Sequence, residues 1–352
     1  MDVAPGLVVR RIVALGWLLV AAALGAVQVA TVTAVTGDPQ IARDGRPLSR
    51  RVEPGFGIEP FDAIRTDGSA SLEISFDQTS GLDAVVRVNP LSHLTVEVPA
   101  GADAPFRVIG LIAGSVDLVV YALPQGRAIR VRSSVGVVHV RGARFSVTLA
   151  ADGAMLVCAD EGLVEVRGPR GATLYARRGE VVESDVDSLR NLRFDGDRPD
   201  EFRRDWLDRR AQRVTDPASG IARSLGRRYL AARDAFAAAY ADMMAHRDTI
   251  DEWIDAAERG VPVPTPPDDE PRLLESLERA HASMIDLEPL YAILDFLAAG
   301  PGDEASAVDI DATHTVADVV RMAANDRRLM GARFATVRHT LKLSVASQGV
   351  AP

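Results

Sequence analysis

The sequence predicts a mainly β N-terminal half, a stack of short strands arranged as a solenoid or sandwich, followed by an all-α antiparallel helical bundle. Three observations carry this. Apolar and polar residues alternate with period two from about residue 29 to residue 184. Glycine or Asp-Gly interrupts the alternation at short intervals. After residue 187 the apolar residues recur instead at three- and four-residue steps. No helix-length pattern breaks the strand region, which excludes a doubly wound α/β fold and its nucleotide crevice.

The chain opens MDVAPGLVVRRIVALGWLLVAAALGAVQVATV. Arg10 and Arg11 form a positive flank, and Ile12 to Leu24 are unbroken apolar residues of about signal-peptide length. Ala23 and Gly25 are placed for cleavage after Gly25. Residues 1–28 are therefore read as a signal peptide or an N-terminal membrane anchor. Taken over residues 12–30, the apolar run reaches the spanning minimum of ~17–20 residues. Both readings leave the arginines on the cytoplasmic side and export everything after Val29.

Residues 29–187 form the expected β domain. ATVTAV, SLEISF, VVRV, LTVEV, SVDLVV, AIRVRS, VVHV, FSVTL, MLVCA, LVEV and TLYA read as strands, with Gly114, Gly126, Gly136, Gly142, Gly153, Gly162, Gly171 and Gly179 among the breaks. In VVHVRGARFSV (137–147), Val138, Val140, Phe145 and Val147 share one face across the interruption Arg141-Gly142-Ala143. A glycine inside such a pattern signals a bulge or a close backbone approach.

Residues 198–345 form the expected bundle. A short helix with proline at its start covers 199–212. One long helix covers 219–259, with Leu225, Tyr229, Phe236, Tyr240, Met243, Ile250 and Ile254 along its apolar stripe. A stiff proline-rich linker, GVPVPTPPDDEP, occupies 260–271. Helices over 272–299 and 316–343 complete the set, and Pro289 is expected to kink or restart the first of these.

Four stretches of the β half resemble the FecR-type extracytoplasmic domain. VTAVTGDPQI resembles that family's opening strand and turn. EPFDAIRTDGSASLEISF (59–76) resembles its Gly-Asp-x-Ile-x-Thr segment, with Phe61 where glycine is usual. VNPLSHLTV (88–96) resembles its Pro-Asn-Ser-x-Leu segment. VVHVRGARFSV with DEGLVEV (160–166) resembles its Val-x-Val-Arg-Gly-Thr-x-Phe-x-Val and Glu-Gly-x-Val pair, with Ala143 in place of threonine. The resemblance implies a stack of strands outside the cytoplasm, serving as an interaction or sensing module without catalysis. Gly142 is then expected to let the strand turn within the stack. The best-known members also carry a cytoplasmic sigma-factor-binding domain, which the eleven residues before the apolar run do not accommodate.

The remaining chemistry is sparse. A formal charge of −9 argues against a nucleic-acid partner. Cys158 is the only cysteine and sits at a strand position, where it reads as a small buried hydrophobe. His93, His139, His246, His281, His314 and His339 show no metal-ligand spacing, and no nucleophile elbow or phosphate loop is present. Asp268-Asp269-Glu270 read as a solvated linker. Arg203-Arg204 and Arg209-Arg210, interleaved with Asp200, Glu201, Asp205 and Asp208, read as an exposed helix with internal ion pairs. Phe202 and Trp206, four apart, pack the first helix onto the β stack or bind a partner; the long helix serves its own bundle or pairs with another protein. No catalytic, cofactor-binding or metal-binding residue is assigned, and no cofactor. The expected function is that of a non-enzymatic, exported protein contacting an envelope protein or polymer, in the periplasm or anchored in the inner membrane. The alternatives are a signal-relay component working with a separate membrane regulator or sigma-factor system, and an envelope enzyme using paired carboxylates.

Overall fold

The computed structural model describes residues 28–76, 82–97, 108–121, 123, 128–192, 199–216, 220–264, 270–299 and 308–347. Leader residues 1–27, Gly126 and the Asp268-Asp269 pair lie outside the described residues. Two sheets enclose one apolar core. In spatial order the first sheet runs β4 (Gly57–Ile58), β1 (Ala30–Thr36), β6 (Ser71–Phe76), β7 (Ala84–Val88), β10 (Ser115–Val120), β13 (Ala143–Leu149), the first part of β14 (Met155–Arg167), β16 (Val181–Ser184) and β17 (Leu189–Leu192). The second runs β3 (Arg46–Pro47), β2 (Gln40–Arg43), β5 (Ala63–Arg65), β8 (His93–Glu97), β9 (Val108–Ala113), β11 (Ile129–Ser133), β12 (Gly136–Val140), the end of β14, and β15 (Thr173–Arg177). All pairings are antiparallel except β9 with β11.

The alternation seen in the sequence becomes a division between core and outer face. Leu72, Ile74, Val86, Leu118, Phe145 and Val157 of the first sheet meet Ile64, Leu94, Val96, Val131, Val138 and Val166 of the second, all essentially buried. Val52, Leu94 and the rest of this core are aliphatic with few rings, as the low aromatic content requires.

VVHVRGARFSV is a corner. β12 lies in the second sheet, β13 in the first, and Arg141-Gly142 carries the chain between them. β14 turns the same corner in the opposite direction: Gly162 pairs with Ala143 in the first sheet, and Leu163 pairs with Arg177 in the second. The register slips between Arg144 and Phe145, so Asp160 is the extra residue of a bulge. The left-handed residue here is Gly162, φ 81°, rather than Gly142. A Cβ on Gly162 would lie 2.6 Å from the Gly142 carbonyl oxygen. The close approach expected of the interrupted strand is thus real, but the glycine that must remain glycine sits across the ladder.

Among the described residues five helices follow: α1 (Pro199–Thr215), α2 (Ile221–Met244), α3 (Arg247–Glu258), α4 (Glu270–Ala299) and α5 (Val316–Ser347). α2, α4 and α5 pack on one another around Tyr229, Phe236, Met243, Leu277, Leu287 and Phe334. Tyr229 meets Tyr291 edge-on at 5.6 Å, and Phe236 meets Phe334 at 5.0 Å.

The single helix expected over 219–259 is two. The Ala245 amide reaches back to carbonyls of Ala241 and Asp242, the His246 amide to Met243, and His246 leaves helical geometry at φ −100°, ψ 27°. The apolar stripe continues through this break, so periodicity gives no sign of it. The turn lets Ile250 and Trp253 enter the common core, with α3 against α5. Conversely, Pro289 does not restart α4, which runs unbroken through it; α2 and α5 pack along both sides and hold the helix across the missing bond.

Candidate functional site

The helices clasp the sandwich on both outer faces, and the polar groups of the molecule converge there. On the first sheet, α1 covers Leu156, Cys158 and Val181 with Trp206, which is 3% exposed, and with partly buried Phe202. Of the two roles open to Phe202 and Trp206, packing onto the β stack is the observed one. The sequence pattern puts Arg210 on an exposed helix face; it is instead 5% exposed, with Nη1 donating to Asp152 at 2.7 Å and the guanidinium also bonding Glu183. The Trp206 indole N–H donates to Glu183 at 2.8 Å. Burial alone would raise the Glu183 carboxyl; Arg210 and Trp206 overcome it and hold it below its ordinary value. The Arg209-Arg210 pair reads as solvent-facing because the partners of Arg210 lie 58 and 27 residues away and leave no local signature.

On the second sheet, α4 and α5 cover a line of buried carboxylates. Glu97 on β8 bonds Arg132 on β11 and lies 3.4 Å from His281 Nε2 on α4. Burial would raise Glu97, but His281, Arg132 and Arg338 bring it down to about 2. Arg43 on β2 holds both Glu59 and Asp62, the latter by two bonds of 2.9 and 2.8 Å. Burial nevertheless keeps both carboxyls above their ordinary values. Lys342 on α5, the only lysine, reaches Asp44 at 3.3 Å and Glu59 at 3.5 Å. His339 Nδ1 lies 3.1 Å from Asp44, and with Lys342 it holds that carboxyl down at about 2. His93 faces Glu288, Arg338 and Arg65; burial first, then the two arginines, push it down to about 4.

Two backbone devices fit this face to the helices. Asp44-Gly45 is a two-residue hairpin turn with both φ values positive, 49° and 74°, joining Arg43 to Arg46. It presents the Asp44 carboxylate to α5, and Gly45 packs so closely that a Cβ there would lie 2.1 Å from that of Ala335. The second device is Phe61, where φ is 66°. A non-glycine residue in this region costs about 1–2 kcal/mol. The ring is 6% exposed and belongs to the helical core, and burying it contributes about 1.5–3 kcal/mol. Burial therefore offsets the strain, and the position where the resembled family has glycine is rebuilt as a plug into the helices.

Two cavities of about 20 Å³ lie along this junction. The first is lined by Glu97, Arg132, Ile285, Glu288, Pro289 and Arg338. Pro289 has no N–H to give the Ile285 carbonyl, and the Nε atoms of Arg132 and Arg338 are buried without a protein partner. Each cavity has room for about one water, and the first offers that water donors and an acceptor. Neither has room for an organic substrate.

Carboxylates therefore do converge, as an envelope enzyme would require, but each is held by an arginine, a lysine or a histidine. Among the described residues no group of three His, Cys, Asp or Glu side chains is placed to hold a metal ion, and no helix is long and apolar enough to cross a membrane. Cys158 is buried, and burial pushes its thiol up to about 11. Of the six histidines, His93, His281 and His339 come together on the second sheet's face. Their positions in the sequence, 188 and 58 residues apart, hide this; the one local signal of the face is RDGR at 43–46, a hairpin turn flanked by charge.

No protein-family model matches the chain, and no curated protein matches it. Two crystal structures of a "putative anti-sigma factor" from Parabacteroides distasonis ATCC 8503, at 2.50 and 1.65 Å resolution, are similar to it in part. Each shares 19% identity over 38% of this chain and 60% of that chain, with a TM-score of 0.33, so the chain spans less than two thirds of their length.

Proposed function

We propose that the protein is a non-enzymatic interaction module of the bacterial envelope, exported by its apolar leader and working through its surfaces. The single observation that carries this reading is the state of the buried acids. Glu59, Asp62, Glu97, Asp152 and Glu183 are each engaged by a basic side chain, and the two cavities on the second sheet's face, beside Glu97 and Asp44, are of water size. Such groups join the two halves of the chain; none stands ready to act on a substrate. Export is supported by Arg10, Arg11 and the apolar run that follows them, and the envelope setting by the FecR-type resemblance.

The test has two parts. A reporter enzyme active only outside the cytoplasm, fused after Pro352, is expected to be active; activity of a cytoplasm-only reporter instead removes the export reading. In-cell crosslinking is expected to trap an envelope protein or polymer. Capture of cytoplasmic proteins alone removes the proposed role.

A further inference from the structure

The two apolar cores of this chain are nearly independent. The helical core takes one fully buried residue from the β half, Phe61, with Ala151 at its margin. Beside that ring, β9 brings Ile112 up to Met284 and Ile285 of α4, and polar groups hold the rest of the face between the second sheet and α4–α5: His281 to Glu97, His339 and Lys342 to Asp44, and Lys342 to Glu59. An aromatic anchor ringed by ion pairs is the anatomy of a reversible interface, and contacts between domains of one chain resemble transient complexes when they are this polar. The left-handed backbone of Phe61 is held from within the β half, its N–H donating to the Val96 carbonyl at 2.6 Å and the Val96 N–H to the Asp62 carbonyl at 2.9 Å, so the β half itself aims the ring at the helices.

We propose that the helices α2–α5 are a releasable cover on the second sheet, and that the patch they leave is a docking site for a basic amphipathic helix of a partner protein. This goes beyond the envelope reading and does not require it. Around Phe61, Asp44, Glu59 and Asp62 face Arg43, which leaves two negative charges. Lys342 and His339 meet them in cis. The partner helix must therefore place a cation over Asp44 and a small residue over Gly45, as α5 does with Lys342 and Ala335, and it must receive the Phe61 ring. α1 stays behind on the first sheet, held by Trp206 and Arg210, and the cover parts from it at its last turn, where Val214 enters the helical core.

A thiol introduced by Thr95→Cys, at a position 1% exposed beneath α4, reports on release, and native Cys158 beneath α1 reports on every other opening. In purified full-length protein, Phe61→Gly is expected to speed labelling at position 95 about tenfold or more while Cys158 stays slow. Phe61→Leu is expected to restore most of the protection. Raising salt from about 0.05 to about 0.5 M is expected to speed labelling at position 95 alone, since the exposed part of the ion-pair ring is screened. Joint acceleration of both thiols, or no acceleration at either, overturns the releasable cover. For the docking site, a fluorescent peptide carrying residues 330–347 is expected to bind Lys342→Glu, whose cover is repelled by Asp44 and Glu59, and to lose that binding when Phe61→Gly is added. Absence of binding to Lys342→Glu, or binding indifferent to Phe61, overturns it.

Discussion

Arg210 on α1 and Asp152 in the turn between β13 and β14 meet at 2.7 Å, with each side chain only 6% exposed. The same guanidinium bonds Glu183, 2% exposed, and stacks over the Trp206 ring. This one side chain bridges two buried carboxylates, with Arg190 on the far oxygen of Glu183, and fixes the first helix to the first sheet.

Arg210→Met is therefore expected to lower stability by about 3–5 kcal/mol, because Asp152 is left buried without a counter-charge and Glu183 keeps only the half-exposed Arg190. Adding Asp152→Asn and Glu183→Gln is expected to recover most of the loss. Urea titrations at neutral pH followed by tryptophan fluorescence compare the three proteins. A loss under about 1 kcal/mol for the single variant would contradict the buried pairing.

The corner at Gly162 gives a comparison of two glycines. Gly179 has φ 78° and no atom within 4 Å of an added Cβ, whereas Gly162 has φ 81° and backbone at 2.6 Å. Gly179→Ala is expected to cost about 1–2 kcal/mol, from conformation alone. Gly162→Ala is expected to exceed it by about 1–3 kcal/mol, because the Gly142 carbonyl must move. Equal melting temperatures for the two variants would show that the corner tolerates a side chain.

His93 makes stability depend on acidity. Its folded pKa, about 4, lies below the ordinary 6.5, so the unfolded chain takes up the proton first. The contribution is complete above pH 6.5 and is lost as the pH falls from there through 4. Glu97, at about 2 against 4.5, adds a second loss at lower pH, below 4.5. His93→Gln is expected to flatten the decline between pH 6.5 and 4 and to leave the lower one unchanged. Unfolding free energies measured at pH 7, 5.5 and 4 decide; parallel curves for the two proteins would refute the assignment.

Cys158, buried under Trp206 with its thiol raised to about 11, is expected to resist a thiol reagent at pH 8 until denaturant is added. Trp206→Ala is expected to make it reactive in the folded protein. Prompt reaction of the unaltered protein would mean that α1 does not stay docked.

Much of the architecture is legible in the chain because side-chain period maps directly onto backbone geometry. Leu72, Ile74 and Phe76 alternate along β6 and all face the core; Ile221 to Met244 keep helical spacing and bury one stripe. Expectation and structure part where a local pattern has two outcomes. The stripe through Met243 and Ile250 is the same whether the helix continues or turns at His246, and only the packing of α3 on α5 decides. Pro289 signals a break through its missing N–H, yet its neighbours hold the helix through it. VIGLIA, now β9, carries little alternation because the sheet buries both of its faces, one of them under α4.

The sequence by itself determined the two periodicities, the aliphatic composition of the β core, the apolar leader and the burial of Cys158, since each depends on residues near one another along the chain. Only the tertiary structure decided which charges are buried. Arg210 with Asp152, Lys342 with Asp44, and His281 with Glu97 are separated by 58, 298 and 184 residues. An ion pair forms where the fold brings its members together and excludes water, and nothing local marks a charge for that fate. Phe61 shows both levels at once: the sequence displays an unusual residue, and the bundle above it supplies the reason.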